Sequence, residues 1–134
     1  MVKILLHIPH SSTYMPKDEI SKFILSKHEL AEELEIMTDL YVDSLFMSDK
    51  VKTIKFDYSR LLCDVERFSN DEFESMSKIG MGMVYEKTSK GKLLKVGISD
   101  KYKERIELEY YRPHHLRLTK VVGEILNKHN KCVI

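Results

Sequence analysis

The sequence predicts an α/β layered domain, and three observations carry that reading. Residues 2–8, VKILLHI, form a short apolar run stopped by Pro9. A stripe of apolar residues then recurs every three or four positions, and a second such stripe follows Asp100 and leads into a final apolar run, KCVI. Short apolar runs bounded by turn residues read as buried strands, whereas three-to-four spacing reads as one face of a helix. Strands alternating with helices need coverings over a sheet.

Each element has its own local reason. Ser11, Ser12 and Pro16 mark a loop after the first strand, and Asp18 suits the start of a short helix through Leu25. Ser26 can cap a longer helix carrying Leu30, Leu34, Met37, Tyr41 and Leu45 on one face. Its acidic residues Glu29, Glu32, Glu33 and Glu35 lie mostly off that face and near its N-terminal half, where the helix dipole favours them. VKTIKF (51–56) alternates as a half-buried strand, and RLLCDVE (60–66) reads as another. MVYEK and KLLKV, joined by TSKG, read as a β-hairpin. Helical pattern resumes after Ser99, and Pro113 either kinks that helix or sits in the first turn of a second. His115, Leu118, Val122 and Ile125 continue the stripe to about Asn130.

Composition narrows the class. The chain has 134 residues, enough for one domain, with 43% hydrophobic content. Lys plus Arg number 22 against 21 Asp plus Glu, which gives no global basic excess for nucleic acid. Cys63 and Cys132 lie far apart in apolar runs, without zinc-finger spacing. No run approaches membrane-spanning length and the start lacks a signal-peptide pattern, so the expected location is cytoplasmic, with no membrane and no nucleic acid among the partners. Gly80 and Gly82 do not make a phosphate loop.

Three stretches, in this order, carry a resemblance. HIPHSS follows the first strand; SRLLCDVER runs from Ser59 to Arg67; EYYRPHHLRL runs from Glu109 to Leu118. The set resembles the N-formylglutamate amidohydrolase family, whose members typically read PHSG, then SR…D-NR, then a Y-x-PYH-like segment. The resemblance covers almost the entire chain. It implies a three-layer helix/mixed-sheet/helix fold, zinc-exopeptidase-like, with residues 1–134 as a single domain incomplete at its C-terminus. It also implies a zinc cofactor and hydrolysis of N-formylglutamate to formate and glutamate. The chain departs from the family pattern at Ser12 for Gly, at Glu66 for Asn, and at Arg112–His115 for Pro-Tyr-His. It stops at Ile134, before the family's Asp-x-His-Ser motif.

Candidate site residues follow from that resemblance and the chemistry of each side chain. A hydrolytic zinc ion needs three protein ligands and an open position for water. His10 is the first ligand candidate; the alternative is a hydrogen bond within its own turn. Thr13 stands where carboxypeptidase-like relatives carry a Glu ligand, so the second ligand must come from elsewhere. Asp39 is the choice and Asp43 the reserve, four apart on an expected helix face; the alternative is a solvated carboxylate. His7 is expected to serve packing. Arg60 and Arg67 suit substrate carboxylates through paired hydrogen bonds, or else pair with Asp64 or Glu66. Tyr111 and His115 complete the expected substrate-binding set, or pack beneath the helix start. His114 points about 100° away from His115. No catalytic acid or base is assigned. With two ligands named, the chain by itself is expected to be weakly active or inactive, and three other roles stand beside that: a carboxylate-binding module, a homo-oligomer paired through the last strand, or half of an enzyme completed by a separately encoded C-terminal half.

Overall fold

The structure is a computed structural model that describes residues 3–46 and 48–134. Its sheet has three strands in the order β2-β1-β3, with β1 at Lys3–Ile8, β2 at Lys52–Lys55 and β3 at Cys132–Val133. Val2, the first residue of the expected opening strand, lies outside the described residues. Both pairings are parallel: His7 lies beside Ile54, and Lys3 beside Cys132. The mixed sheet expected from the sequence is thus parallel throughout among the described residues. Parallel strands need long crossovers, and here helices and a long irregular segment supply them.

The helices are α1 (Lys17–Ile20), α2 (Lys27–Met37), α3 (Val42–Leu45), α4 (Asp100–Ile106) and α5 (Arg112–His129). Helix α5 covers one sheet face, where Leu5, Ile54 and Ile125 are buried against Leu118, Val121 and Val122. A π-helical turn at Glu107–Tyr111 joins α4 to α5, so the segment runs on as one helix with Pro113 in the first turn of α5. The wider turn tolerates a proline because a hydrogen bond to its missing N–H is not required there. Ser99 caps α4 by accepting from the Tyr102 amide.

Two expected elements fold otherwise. The helix begun at Ser26, with its reciprocal Ser26–Glu29 capping box, ends at Met37 instead of running to Leu45. Thr38 is extended and Tyr41 is left-handed at φ 67°, and α3 restarts only at Val42. Asp39 and Asp43 therefore do not share a helix face; Asp43 pairs with Lys55 at 3.1 Å, which holds its carboxyl below the usual range.

The expected strand at 60–66 is a series of turns. Ser59 drives this, because its hydroxyl accepts from the Leu61 amide and its carbonyl from the Leu62 amide. Leu61, Leu62, Cys63, Asp64 and Val65 are all buried, so the run is apolar because it is enclosed on every side. It packs with Met83, Tyr85, Leu94, Tyr102 and Ile106 in the larger of two core clusters. The hairpin is reduced to a single antiparallel bridge, Lys87 to Leu93, closed by the Thr88–Lys92 turn. The short helix near Asp18 stops at Ile20. Among the described residues, no helix is long and apolar enough to cross a membrane.

Candidate functional site

Pro9 ends the β1 ladder and releases His10 at the carboxyl end of a parallel strand, the position where open α/β sheets bind ligands. His10 is buried, and its Nε2 lies 2.8 Å from Asp64 Oδ1. A carboxylate only accepts, so the ring proton belongs on Nε2 and neutral His10 presents a lone pair at Nδ1. That nitrogen is 3.6 Å from Glu66 Oε2 and 3.9 Å from Asp39 Oδ2.

Asp64 is the hub of the site. It is fully buried, and its Oδ2 accepts from Arg60 Nη2 at 2.7 Å, from Arg60 Nε at 3.2 Å and from the Tyr85 hydroxyl at 2.6 Å. Its Oδ1 also accepts from the Glu66 amide, and Arg67 Nε stands 3.5 Å from Oδ2. Burial pushes the Asp64 carboxyl up. The hydrogen bonds from His10 and Tyr85 and the nearby Arg60 charge outweigh this and hold it well below the usual range. The same contact, with burial, drives the Tyr85 phenol upward.

Backbone bonds fix the approach of the flanking carboxylates. The break after α2 frees the Asp39 amide to donate to the His10 carbonyl at 2.8 Å. The Glu66 amide is held by the carboxylate that grips His10. Both side chains remain more than half exposed, Asp39 at 59% and Glu66 at 52%. Among the described residues, no group of three or more His, Cys, Asp or Glu side chains is placed to hold a metal ion. A histidine whose second nitrogen donates to a carboxylate is nonetheless the usual arrangement of a metal-ligating imidazole. In that respect His10 by itself is oriented as a ligand would be.

An open cleft of about 520 Å³ lies alongside, lined by His7, Val65, Glu66, Arg67, Phe68, Tyr111 and His115. Tyr111 donates its hydroxyl proton to the Arg67 carbonyl, and His115 donates from Nε2 to the Val65 carbonyl, each at 2.8 Å. Their rings pack together, with centroids 4.2 Å apart. Both residues thus tie the start of α5 to the Val65–Arg67 wall while facing the cleft. Arg67 lines it; Arg60 gives Nε and Nη2 to Asp64.

His7, expected to serve packing, lies against the His114 ring with centroids 5.0 Å apart and also pairs with it, Nε2 to Nε2 at 2.8 Å. Burial, with the adjacent His7 and His115, lowers the His114 pKa to about 4. Sequence reasoning missed Tyr85 altogether, because nothing in a hairpin pattern marks a phenol as the partner of a distant carboxylate. The signal for Glu66 was its place as an acidic departure from the family pattern.

A crystal structure of N-formylglutamate amidohydrolase from Ralstonia eutropha JMP134 matches this chain with a TM-score of 0.80 and 18% sequence identity, over 95% of this chain and 50% of that one. At that identity the likeness is one of fold, and the chain spans about half the length of that protein. No curated protein matches the sequence. The family profile described as N-formylglutamate amidohydrolase matches residues 2–134, which takes in the His10 turn, the Asp64 hub and the start of α5. The chain belongs to the N-formylglutamate amidohydrolase family.

Proposed function

We propose that this chain carries the metal-binding and carboxylate-binding wall of an amidohydrolase acting on the N-acyl, and in particular N-formyl, bond of a carboxylate-bearing amino acid. The observation that carries the reading is the orientation of His10: Asp64 holds Nε2, and Nδ1 is turned toward Asp39 and Glu66. His10 and Asp39 would hold a zinc ion. When bound, such an ion lowers the pKa of a water molecule and polarises the acyl carbonyl.

The chain's own groups do the rest. Asp64 keeps the His10 ring in one tautomer and one orientation. Arg67, on the cleft wall, offers paired donors to a substrate carboxylate. Arg60 holds the Asp64 carboxylate in place. Tyr111 and His115 keep the Arg67 segment against α5 and give the cleft an aromatic side. Formate release from N-formylglutamate, measured with purified protein and added zinc, tests the reading. Weak release or none is expected from this chain alone, and zinc uptake by the metal-stripped protein that is lost in His10→Ala; no zinc uptake, or uptake unchanged in that variant, overturns the metal-binding reading, and turnover well above the His10→Ala control overturns the expectation of weak or absent activity.

A second reading, assembly, is favoured by the sheet. Strand β3 lies at an edge, and Ile4 and Val133 are half exposed. Another copy, or a separately encoded polypeptide, pairing there would cover them. Sedimentation of the purified chain as a monomer at all concentrations, with no strand-supplying partner bound, argues against this role.

A further inference from the structure

We propose that the end of the sheet remote from His10 carries a second binding site, for a small anion with two or more phosphate groups, held by Lys3, Lys50, Lys52 and Lys128. A cavity of about 350 Å³ lies there, lined by these four lysines together with Ile4, Glu124, Ile125 and His129. That volume falls within the range of small-molecule sites. The inference makes no use of the metal reading of His10, so the failure of one leaves the other intact.

Topology gathers the lysines from three elements. Lys3 opens β1, Lys52 opens β2 and Lys50 precedes it, and parallel pairing keeps both strand starts at one end of the sheet. Helix α5 packs Ile125 with Leu5 and Ile54 and leads into β3, which pairs with β1 at Lys3 and Ile4. Its last turn, with Lys128 and His129, therefore reaches the same end. Strand β1 is six residues long and His10 follows its other end, so the two sites lie roughly 20 Å apart.

Charge makes the cavity suit an anion. Among the described residues Glu124 is the one acid on its wall, and it lies 3.3 Å from Lys52. Among the same residues, Lys3, Lys50 and Lys128 have no carboxylate within ion-pair distance, so the wall keeps a positive excess. The dipole of α5 accounts for Lys128 and His129 at its carboxyl end, but not for lysines that begin strands. Burial and the nearby Lys3 and Lys128 charges lower the His129 pKa, a separate sign that the positive field converges here. Ammonium groups are compact charges with rotatable donors and bind phosphate oxygens. A diphosphate carries enough charged oxygens to meet several of them at once. Half-exposed Ile4 and buried Ile125 add an apolar floor for an organic group attached to the phosphates.

The test titrates the full chain with inorganic pyrophosphate by calorimetry at low salt, with a nucleoside diphosphate and inorganic phosphate in parallel arms. Wild type is compared with Lys50→Gln/Lys128→Gln and with Lys27→Gln/Lys101→Gln, a pair that removes equal charge from exposed positions outside the cavity. Circular dichroism confirms that each variant folds. Wild type is expected to bind pyrophosphate saturably and more tightly than phosphate. The cavity variant should lose about tenfold or more in affinity, as two charge-assisted contacts are removed. The outer variant should change by less than about twofold, since salt screens remote charge. Pyrophosphate should also raise the His129 pKa, followed by NMR, by offsetting Lys3 and Lys128. Tighter binding of the nucleoside diphosphate supports the site with an organic ligand; tighter binding of pyrophosphate supports it with a free anion. No saturable binding, equal losses in the two variants, phosphate bound as tightly as pyrophosphate, or an unchanged His129 titration overturns the proposal.

Discussion

Asp64 and Lys95 are both enclosed by the same core, yet the protein treats their charges in opposite ways. Asp64 is met by His10, Arg60, Tyr85 and the Glu66 amide, so its ionised form is favoured despite burial. Lys95 is 2% exposed and among the described residues its Nζ has no hydrogen-bond partner; the Phe23 ring, 4.9 Å away, is its polar compensation. Burial lowers the Lys95 pKa to about 7, only partly countered by Cys63, Glu19 and Glu86. One buried charge organises a site because every lone pair is used. The other gains no such network and weighs against folding.

The largest effect should come from breaking the satisfied side. Asp64→Asn leaves Arg60 and Arg67 without their anion and His10 without its acceptor, at a cost of about 3–5 kcal/mol in urea unfolding. A loss below about 1 kcal/mol would show that the hub is not the anchor described here.

Next comes relief of the unsatisfied side. Lys95→Met should stabilise the fold by about 2–3 kcal/mol near neutral pH. It should also flatten a pH dependence. With a folded pKa of about 7 against an ordinary 10.5, the unfolded chain binds the extra proton between those values. Wild-type stability from this group therefore rises from pH 7 to 10.5 and is lost as pH falls back toward 7. A variant with the wild-type slope over that window would mean that Lys95 is solvated.

His114 sharpens the contrast at smaller scale, since it is buried and among the described residues its ring is hydrogen-bonded to His7 alone. Its folded pKa of about 4 lies below the ordinary 6.5, so stability is lost as pH falls from 6.5 toward 4. After discounting for screening the loss is on the order of 2 kcal/mol. Thermal melts of His114→Leu should show that acid sensitivity reduced. If the variant melts with unchanged sensitivity over this window, the pair does not carry it.

Local chemistry made much of the fold legible. The Val-Ile-Leu run before Pro9, the Ser26–Glu29 capping box and the α5 stripe through Leu118, Val122 and Ile125 all depend on neighbours within a few residues. The three stretches that resemble the family were equally readable, because each is contiguous. Residues 60–66 were misread because total enclosure and a buried strand leave the same apolar signature. The break at Thr38 was invisible because apolar spacing persists through Tyr41 and Leu45 while the backbone does not.

By itself, then, the sequence determined the opening and closing strands, the helix starts at Ser26 and Ser99, and the turn that carries His10. Tertiary structure alone decided that Asp64 would meet His10 and Tyr85 across 54 and 21 residues of chain, and that Glu66 would stand beside His10 Nδ1. Periodicity and capping act over one or two helical turns. A buried carboxylate finds its donors wherever packing brings them, and no local pattern records that choice.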